Sequence, residues 1–231
     1  MPTPDMIAIA RALVPVNLTV PDCILGSGSV EGCTMSRPSA VTACVVLAVV
    51  IASVMIARPM SAGPLRVLDL DGRLVDPLAP AAGVRATVFV FITTDCPIAN
   101  RYAPEIQRLT TIFASQGVRF WLVYANPHEP LASIRNHLRQ FQYAIPALRD
   151  PEHALVRFTK VTVSPEAAVV DQGGVLLYHG RIDDRWVNIG RDRPSPTRGD
   201  LAEALRATLD GNPVAQSATP AVGCILSDFL R

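Results

Sequence analysis

Five cysteines are the residues best suited to nucleophilic or redox chemistry: Cys23, Cys33, Cys44, Cys96 and Cys224. Their surroundings separate them. Cys96 stands in Thr93-Thr94-Asp95-Cys96-Pro97, directly after the apolar run Thr87 to Ile92 (TVFVFI). Ile106, Leu109, Ile112 and Phe113 follow at helical spacing. This puts the sulfur at the start of a helix, where free N–H groups and the positive end of the helix dipole favour a thiolate. The Asp95 carboxylate beside it works against that charge. The plainer reading of Cys96 is a small buried hydrophobe. Cys224 lies between Gly223 and Ile225 in a tail, residues 212–231, beyond the last helical stretch. Such a tail can reach across a domain. Cys224 is therefore a candidate resolving cysteine that attacks an oxidised Cys96, with a permanent bridge or an unpaired thiol as the alternatives.

Other polar groups carry weaker signals. His128, His137, His153 and His179 lack the spacing of metal ligands and read as surface residues. The string Arg181 to Arg193 (RIDDRWVNIGRDR) reads as a solvated loop cross-braced by ion pairs. Its Asp183 and Asp184 are also a carboxylate pair able to do acid–base work. Trp186 in that loop is placed to cover the cysteine or meet a partner, whereas Trp121 reads as core. The Gly28 to Gly32 stretch has no strand–turn–helix context and is not a phosphate loop. No cofactor and no metal site is expected.

The front of the chain bears on the cysteines. Residues 40–57 (AVTACVVLAVVIASVMIA) carry no charge, and only Thr42 and Ser53 are polar. As a helix this stretch is roughly 27 Å long, close to the thickness of a hydrocarbon core. Arg37 precedes it and Ser61-Ala62-Gly63 follow it, the layout of a secretory signal. Residues 35–62 are read as a signal peptide or a retained membrane anchor, and the remainder as exported, periplasmic or tethered facing outward. Residues 1–34 have no clear period and are read as a doubtful leader, with translation beginning at Met35. Cys23, Cys33 and Cys44 then fall outside the exported part. Cys96 and Cys224 remain, and two cysteines in an oxidising compartment point to a pair.

The rest bounds the class. The chain has 231 residues, 49% of them hydrophobic and 18% charged, which is enough apolar material for a core. A net charge of +1 argues against a nucleic-acid partner. Strands are expected at Leu65–Leu70, Thr87–Ile92, Val118–Tyr124, Ala167–Val170 and Val175–His179. Pro146–Leu148 reads as a short edge or connector. Helices are expected at Asn100–Gln116, Leu131–Tyr143, Pro151–Phe158 and Arg198–Leu209, with Pro104 kinking the first. The order β, β-α-β, α, β-hairpin, α predicts an α/β domain over residues 63–211, a mixed central sheet flanked by helices.

A cysteine followed by proline at a helix start, a kinking proline and a hairpin opened by Val163-Ser164-Pro165-Glu166 together resemble the thioredoxin fold. The insertion around Leu131–Phe158, the string TTDCPIANRYAPEIQRL (Thr93–Leu109) and the ending TPAVGC (Thr219–Cys224) are similar to the redoxin branch, grouped with alkyl hydroperoxide reductase and thiol-specific antioxidant proteins. The resemblance implies that Pro165 is the cis-proline facing the active site. It implies that Thr93, three positions before Cys96, hydrogen-bonds the thiolate or a peroxide. It also implies antioxidant or redox-homeostasis chemistry on a peroxide or disulfide substrate, with an external thioredoxin-like thiol donor. Two departures stand out. Ala99 occupies the second cysteine position of C-x-x-C, and Phe89 stands where the peroxiredoxin motif P-x-x-x-T-x-x-C has proline. The arginine expected beside a peroxidatic thiolate is not assignable; Arg149 and Arg181 are the candidates. A non-catalytic binding module of this fold, including a Sco-like copper binder recruiting Cys224, is the competing reading.

Overall fold

The computed structural model describes residues 65–226. The leader, the apolar segment 40–57 and Cys23, Cys33 and Cys44 lie outside the described residues. The first elements are β1 (Val67–Asp69), β2 (Leu74–Val75), β3 (Ala86–Phe91), α1 (Pro97–Arg101), α2 (Ala103–Ala114), β4 (Val118–Tyr124), α3 (Leu131–Gln140) and β5 (Ala147–Arg149). They are followed by α4 (Ala154–Thr159), β6 (Val163–Ser164), β7 (Glu166–Asp171), β8 (Leu176–Gly180), β9 (Trp186–Asn188), β10 (Arg191–Asp192), α5 (Asp200–Leu209) and β11 (Cys224–Ile225).

A seven-stranded mixed sheet in the order β2-β1-β5-β4-β3-β7-β8 forms the frame. Strand β3 is buried along its whole length, parallel to β4 and antiparallel to β7. Its side chains alternate between two cores. Val88 and Val90 face Ile106, Leu109 and Phe113 of α2, with Ile134 of α3 and Leu201 and Leu205 of α5 in the same cluster. Phe89 and Phe91 join Val67, Leu155, Val156 and Leu226 on the other face. Helices thus cover both faces, and β3, buried on both, ends at the loop carrying Cys96. Strand β5 is internal, lying between β1 and β4, and not the short edge or connector that the sequence predicts. The Asp150 carboxylate after it accepts from the Ala154 and Val156 amides and so caps α4.

The single helix expected from Asn100 is split. Pro104 has no N–H to offer the Asn100 carbonyl, so the chain breaks at Tyr102 between α1 and α2. The Tyr102 hydroxyl holds the break by donating to Asp183 Oδ1 at 2.5 Å.

Two sequence expectations are corrected by burial. The Arg181–Arg193 string is a solvated, ion-paired loop only in part: residues 187–192 are exposed and the Arg185–Asp192 and Arg193–Asp184 pairs brace it, but Asp183 and Asp184 are both buried. Asp184 accepts from the Thr197 hydroxyl and from the Thr197 and Arg198 amides, and these bonds hold its carboxyl down at about 2. The segment between them and Asp200 forms the β9–β10 hairpin. His137 and His153 are buried rather than superficial. His153 Nε2 meets the Ala125 carbonyl, and His137 takes part in the site described below.

The tail packs on the domain at three points. The His179 amide donates to the Ser217 carbonyl, and the Thr219 amide donates back to His179. The Thr219 hydroxyl lies 2.6 Å from the Tyr178 hydroxyl. Strand β11 pairs antiparallel with β6, Cys224 opposite Ser164, and Leu226 enters the second core. Gly180 permits this docking: at φ 147° it is in the region glycine favours, and a Cβ there would overlap Thr219. Gly180→Ala should therefore cost about 1–3 kcal/mol by combined strain and overpacking. Gly174→Ala, at φ 81° with open space around it, should cost about 1 kcal/mol from conformation alone. Urea unfolding of the two variants checks the order; equal losses would mean that the tail does not bear on Gly180.

Candidate active site

Cys96 is the N-cap residue of α1. Its sulfur is wholly buried and accepts from the Ala99 amide at 3.5 Å. This bond is the local device by which a helix start steadies sulfur charge. The Ser164 carbonyl lies 3.0 Å from Cys96 Sγ on the opposite side and accepts a hydrogen bond from its thiol. The Cys224 thiol completes the shell, its sulfur 2.9 Å from Cys96 Sγ across a separation of 128 positions. Both cysteines are free. Thiol–thiol contact at this range is one small movement from the ~2.05 Å of a covalent bond. Burial first, then the hydrogen bond and charge of Cys96 and the charge of Asp95, push the Cys224 thiol up to about 12. In the reduced pair at neutral pH Cys224 therefore keeps its proton and offers it to Cys96.

The Ser164–Pro165 peptide is cis, Pro165 is buried, and Ser164 is the residue that both faces Cys96 and pairs with Cys224. Strand β6 is fastened by Glu166. One carboxylate oxygen accepts from the Thr162 amide at 2.8 Å and the Val163 amide at 3.2 Å, and the other lies 3.1 Å from His179 Nδ1. Glu166 was missed from sequence. The available signal was an acid heading the otherwise apolar run Ala167–Val170, where a buried charge must be paired. Gly223 is the other close approach, since a Cβ at that position would overlap the Ser164 carbonyl.

The loop before Cys96 has its own supports. Glu129 is buried, and its carboxylate accepts from the Thr94 amide at 2.8 Å. Burial pushes that carboxyl above the usual range, against the pull of the Thr94 bond. Asn100 donates to the Thr94 carbonyl and accepts from His137 Nε2 at 2.8 Å, while His137 Nδ1 takes the Tyr124 hydroxyl at 2.8 Å. Burial lowers the His137 value, and the network is satisfied by a neutral ring protonated on Nε2. His137 and Asn100 thus position the loop without touching sulfur.

The other sequence candidates are placed as follows. Thr93 is buried, and its hydroxyl has no hydrogen-bond partner, so it does not reach Cys96. Arg181 is bound to Asp200 at 2.7 Å, and no arginine among the described residues hydrogen-bonds Cys96. Trp186 is half-buried under the Arg101 guanidinium, 5.6 Å from the ring centre, beside Cys224. Trp121 is half-buried against the second core. Among the described residues no group of three or more His, Cys, Asp or Glu is arranged to hold a metal ion, and no helix is long and apolar enough to cross a membrane.

Comparison with known proteins agrees with this architecture. No curated protein matches the chain. An uncharacterised conserved protein from Geobacillus kaustophilus is 24% identical, with a TM-score of 0.60 over 71% of this chain and 88% of its own. A hypothetical protein from Sinorhizobium meliloti 1021 is 25% identical, with a TM-score of 0.59 over 70% of this chain and 88% of its own. The Redoxin family model matches residues 56–190, more than half of the sequence, spanning Cys96 and the cis-proline though not Cys224. The chain belongs to the Redoxin family.

Proposed function

We propose that this protein is a thiol–disulfide oxidoreductase in which Cys96 attacks and Cys224 resolves. The observation that carries the reading is the 2.9 Å contact between the two sulfurs, one at a helix start and one on a strand pinned beside the cis-proline. Cys96 is taken as the attacking sulfur because it sits at the helix start with the Ala99 amide directed at it. With a disulfide substrate, the Cys96 thiolate bonds to one substrate sulfur and the other leaves as thiolate. Cys224 then gives up its proton to that leaving group, bonds to Cys96 and displaces the second substrate sulfur. Two electrons have passed to the substrate, and a dithiol donor returns them to the pair.

Because Cys96 is covered, β11 must lift from β6 for a disulfide substrate to reach it. The unpartnered Thr93 hydroxyl, three residues before Cys96, favours a second substrate class. With a peroxide, Cys96 takes the distal oxygen as sulfenic acid and an alcohol leaves. Cys224 then forms the disulfide and water departs. Export or tethering through residues 40–57 belongs to the same proposal and rests on their apolar run and the small residues after it.

Three measurements test it. Peptide mapping after alkylation, before and after one equivalent of a model disulfide or of hydrogen peroxide, should show Cys96 and Cys224 losing reactivity together and joined to each other. Cys96 left alkylatable by both oxidants would end the enzyme reading. Gly223→Ala, which drives β11 off the Ser164 carbonyl, should lower the rate of intramolecular disulfide formation by about tenfold or more while the domain stays folded by circular dichroism. An unchanged rate would show that β11 docking does not set the sulfur geometry. Finally, Cys224 is raised above its ordinary 9.0, so the docked state holds the proton. Its contribution to docking is intact below about 9 and lost as pH rises toward about 12. At pH 9.5 the reduced protein should alkylate at Cys224 more than about tenfold slower than a free cysteine peptide; equal rates would place the thiolate on Cys224.

A further inference from the structure

The described surface holds an apolar groove of about 500 Å³ to which the exchange chemistry above assigns no role beyond its Cys224. Pro97 and Ile98 of α1 form one wall, Trp186 and Ile189 of the β9–β10 hairpin another, and Gly223 and Cys224 close it. Cys96 is not in its lining. Ile189, at the hairpin tip, is 78% exposed, and Ile225 beside Cys224 is 60% exposed. An exposed aliphatic tip on a charged hairpin is a poor choice for a surface that meets only water. The two charged residues in the groove, Arg101 and Asp192, lie 3.7 Å apart and neutralise one another, and Arg101 also stacks on Trp186. Among the described residues strand β11 pairs only with β6, on one side. The groove therefore offers an apolar trough whose two charges cancel, a strand edge unpaired among the described residues and one sulfur-bearing residue.

Resting on the redox reading above, we infer that this groove is the docking site of the electron donor, a dithiol protein that presents a cysteine in an extended segment with apolar, uncharged flanks. The donor attacks Cys224 and not Cys96. Cys224 is the exposed member of the pair and Cys96 is wholly buried. A donor thiolate in the groove bonds to Cys224 Sγ, the Cys96–Cys224 bond breaks, and Cys96 departs as thiolate onto the Ala99 amide. The donor's second thiol then attacks its own mixed-disulfide sulfur. Cys224 leaves and takes up a proton, and the donor is left as a disulfide. Two electrons have entered the pair without β11 leaving β6. Ile189 and Trp186 select the donor, and the Arg101–Asp192 pair disfavours a highly charged small thiol such as glutathione.

The test uses the oxidised full-length protein and a bacterial thioredoxin whose second active-site cysteine is replaced by serine, so that the mixed disulfide accumulates. Peptide mapping should find thioredoxin on Cys224; thioredoxin on Cys96 overturns the inference. Rates of reduction by wild-type thioredoxin and by dithiothreitol are then compared. Ile189→Asp and Trp186→Ala should each lower the thioredoxin-to-dithiothreitol rate ratio by about tenfold, the loss typical of a docking anchor. Val175→Asp, at another exposed aliphatic in the β7–β8 turn, should leave the ratio unchanged. An unchanged ratio in both groove variants also overturns the inference. If no Cys96–Cys224 disulfide forms with any oxidant, the redox reading itself fails, an outcome distinct from a disulfide that forms and is reduced elsewhere.

Discussion

The site depends on the pairing of a two-residue strand, β11, with a two-residue strand, β6. The pairing alone is too short to persist, because an isolated pair of this length buries little and orders several residues. It holds because it is clamped from both sides. Thr219 is seated against Gly180 upstream, Leu226 is buried downstream, and Gly223 lets the tail backbone lie against the Ser164 carbonyl. On the other strand the Glu166 carboxylate grips the Thr162 and Val163 amides. Cys224 is thus confined over Cys96 by contacts that involve neither sulfur.

The surroundings of the two thiols differ, and the proposed division of roles rests on that difference. Cys96 has a backbone amide and a carbonyl from fixed elements. Cys224 has only its partner's sulfur and a nearby carboxylate charge, and it retains its proton. A thioredoxin-type C-x-x-C site keeps both sulfurs within one helical turn. Here Ala99 vacates that position, and the second sulfur arrives from the end of the chain. The Tyr124–His137–Asn100–Thr94 network fixes the loop that would otherwise have to be rigidified by a local dithiol.

Much of this was legible in the sequence because it is written locally. The apolar run of β3, the helix-start setting of Cys96, the break at Pro104 and the Ser164-Pro165 turn are each signalled by a handful of adjacent residues. What escaped is written between distant residues. The two residues of β11 show no periodicity, and only the Gly223–Ser164 approach marks them. Asp183, Asp184 and His137 look like surface groups in the sequence. Their partners (Tyr102, Thr197, and the Tyr124–Asn100 pair) come from other elements, and pairing is what permits their burial. The β5 segment looked like an edge or connector because it is short, yet β1 covers it, a placement set by topology and not by composition.

The span between the two sulfurs has a thermodynamic meaning. Joining positions 128 apart ties everything from α1 to β11 into one covalent ring, with β1, β2 and β3 outside it. In the chain-entropy view a ring of roughly 100 residues removes about 4.7 kcal/mol of freedom from the unfolded chain. A local dithiol closes a far smaller ring and changes little. If the proposed exchange runs in this chain, each turn of it also switches the domain between a cross-linked, more durable fold and an open one held by weak forces alone.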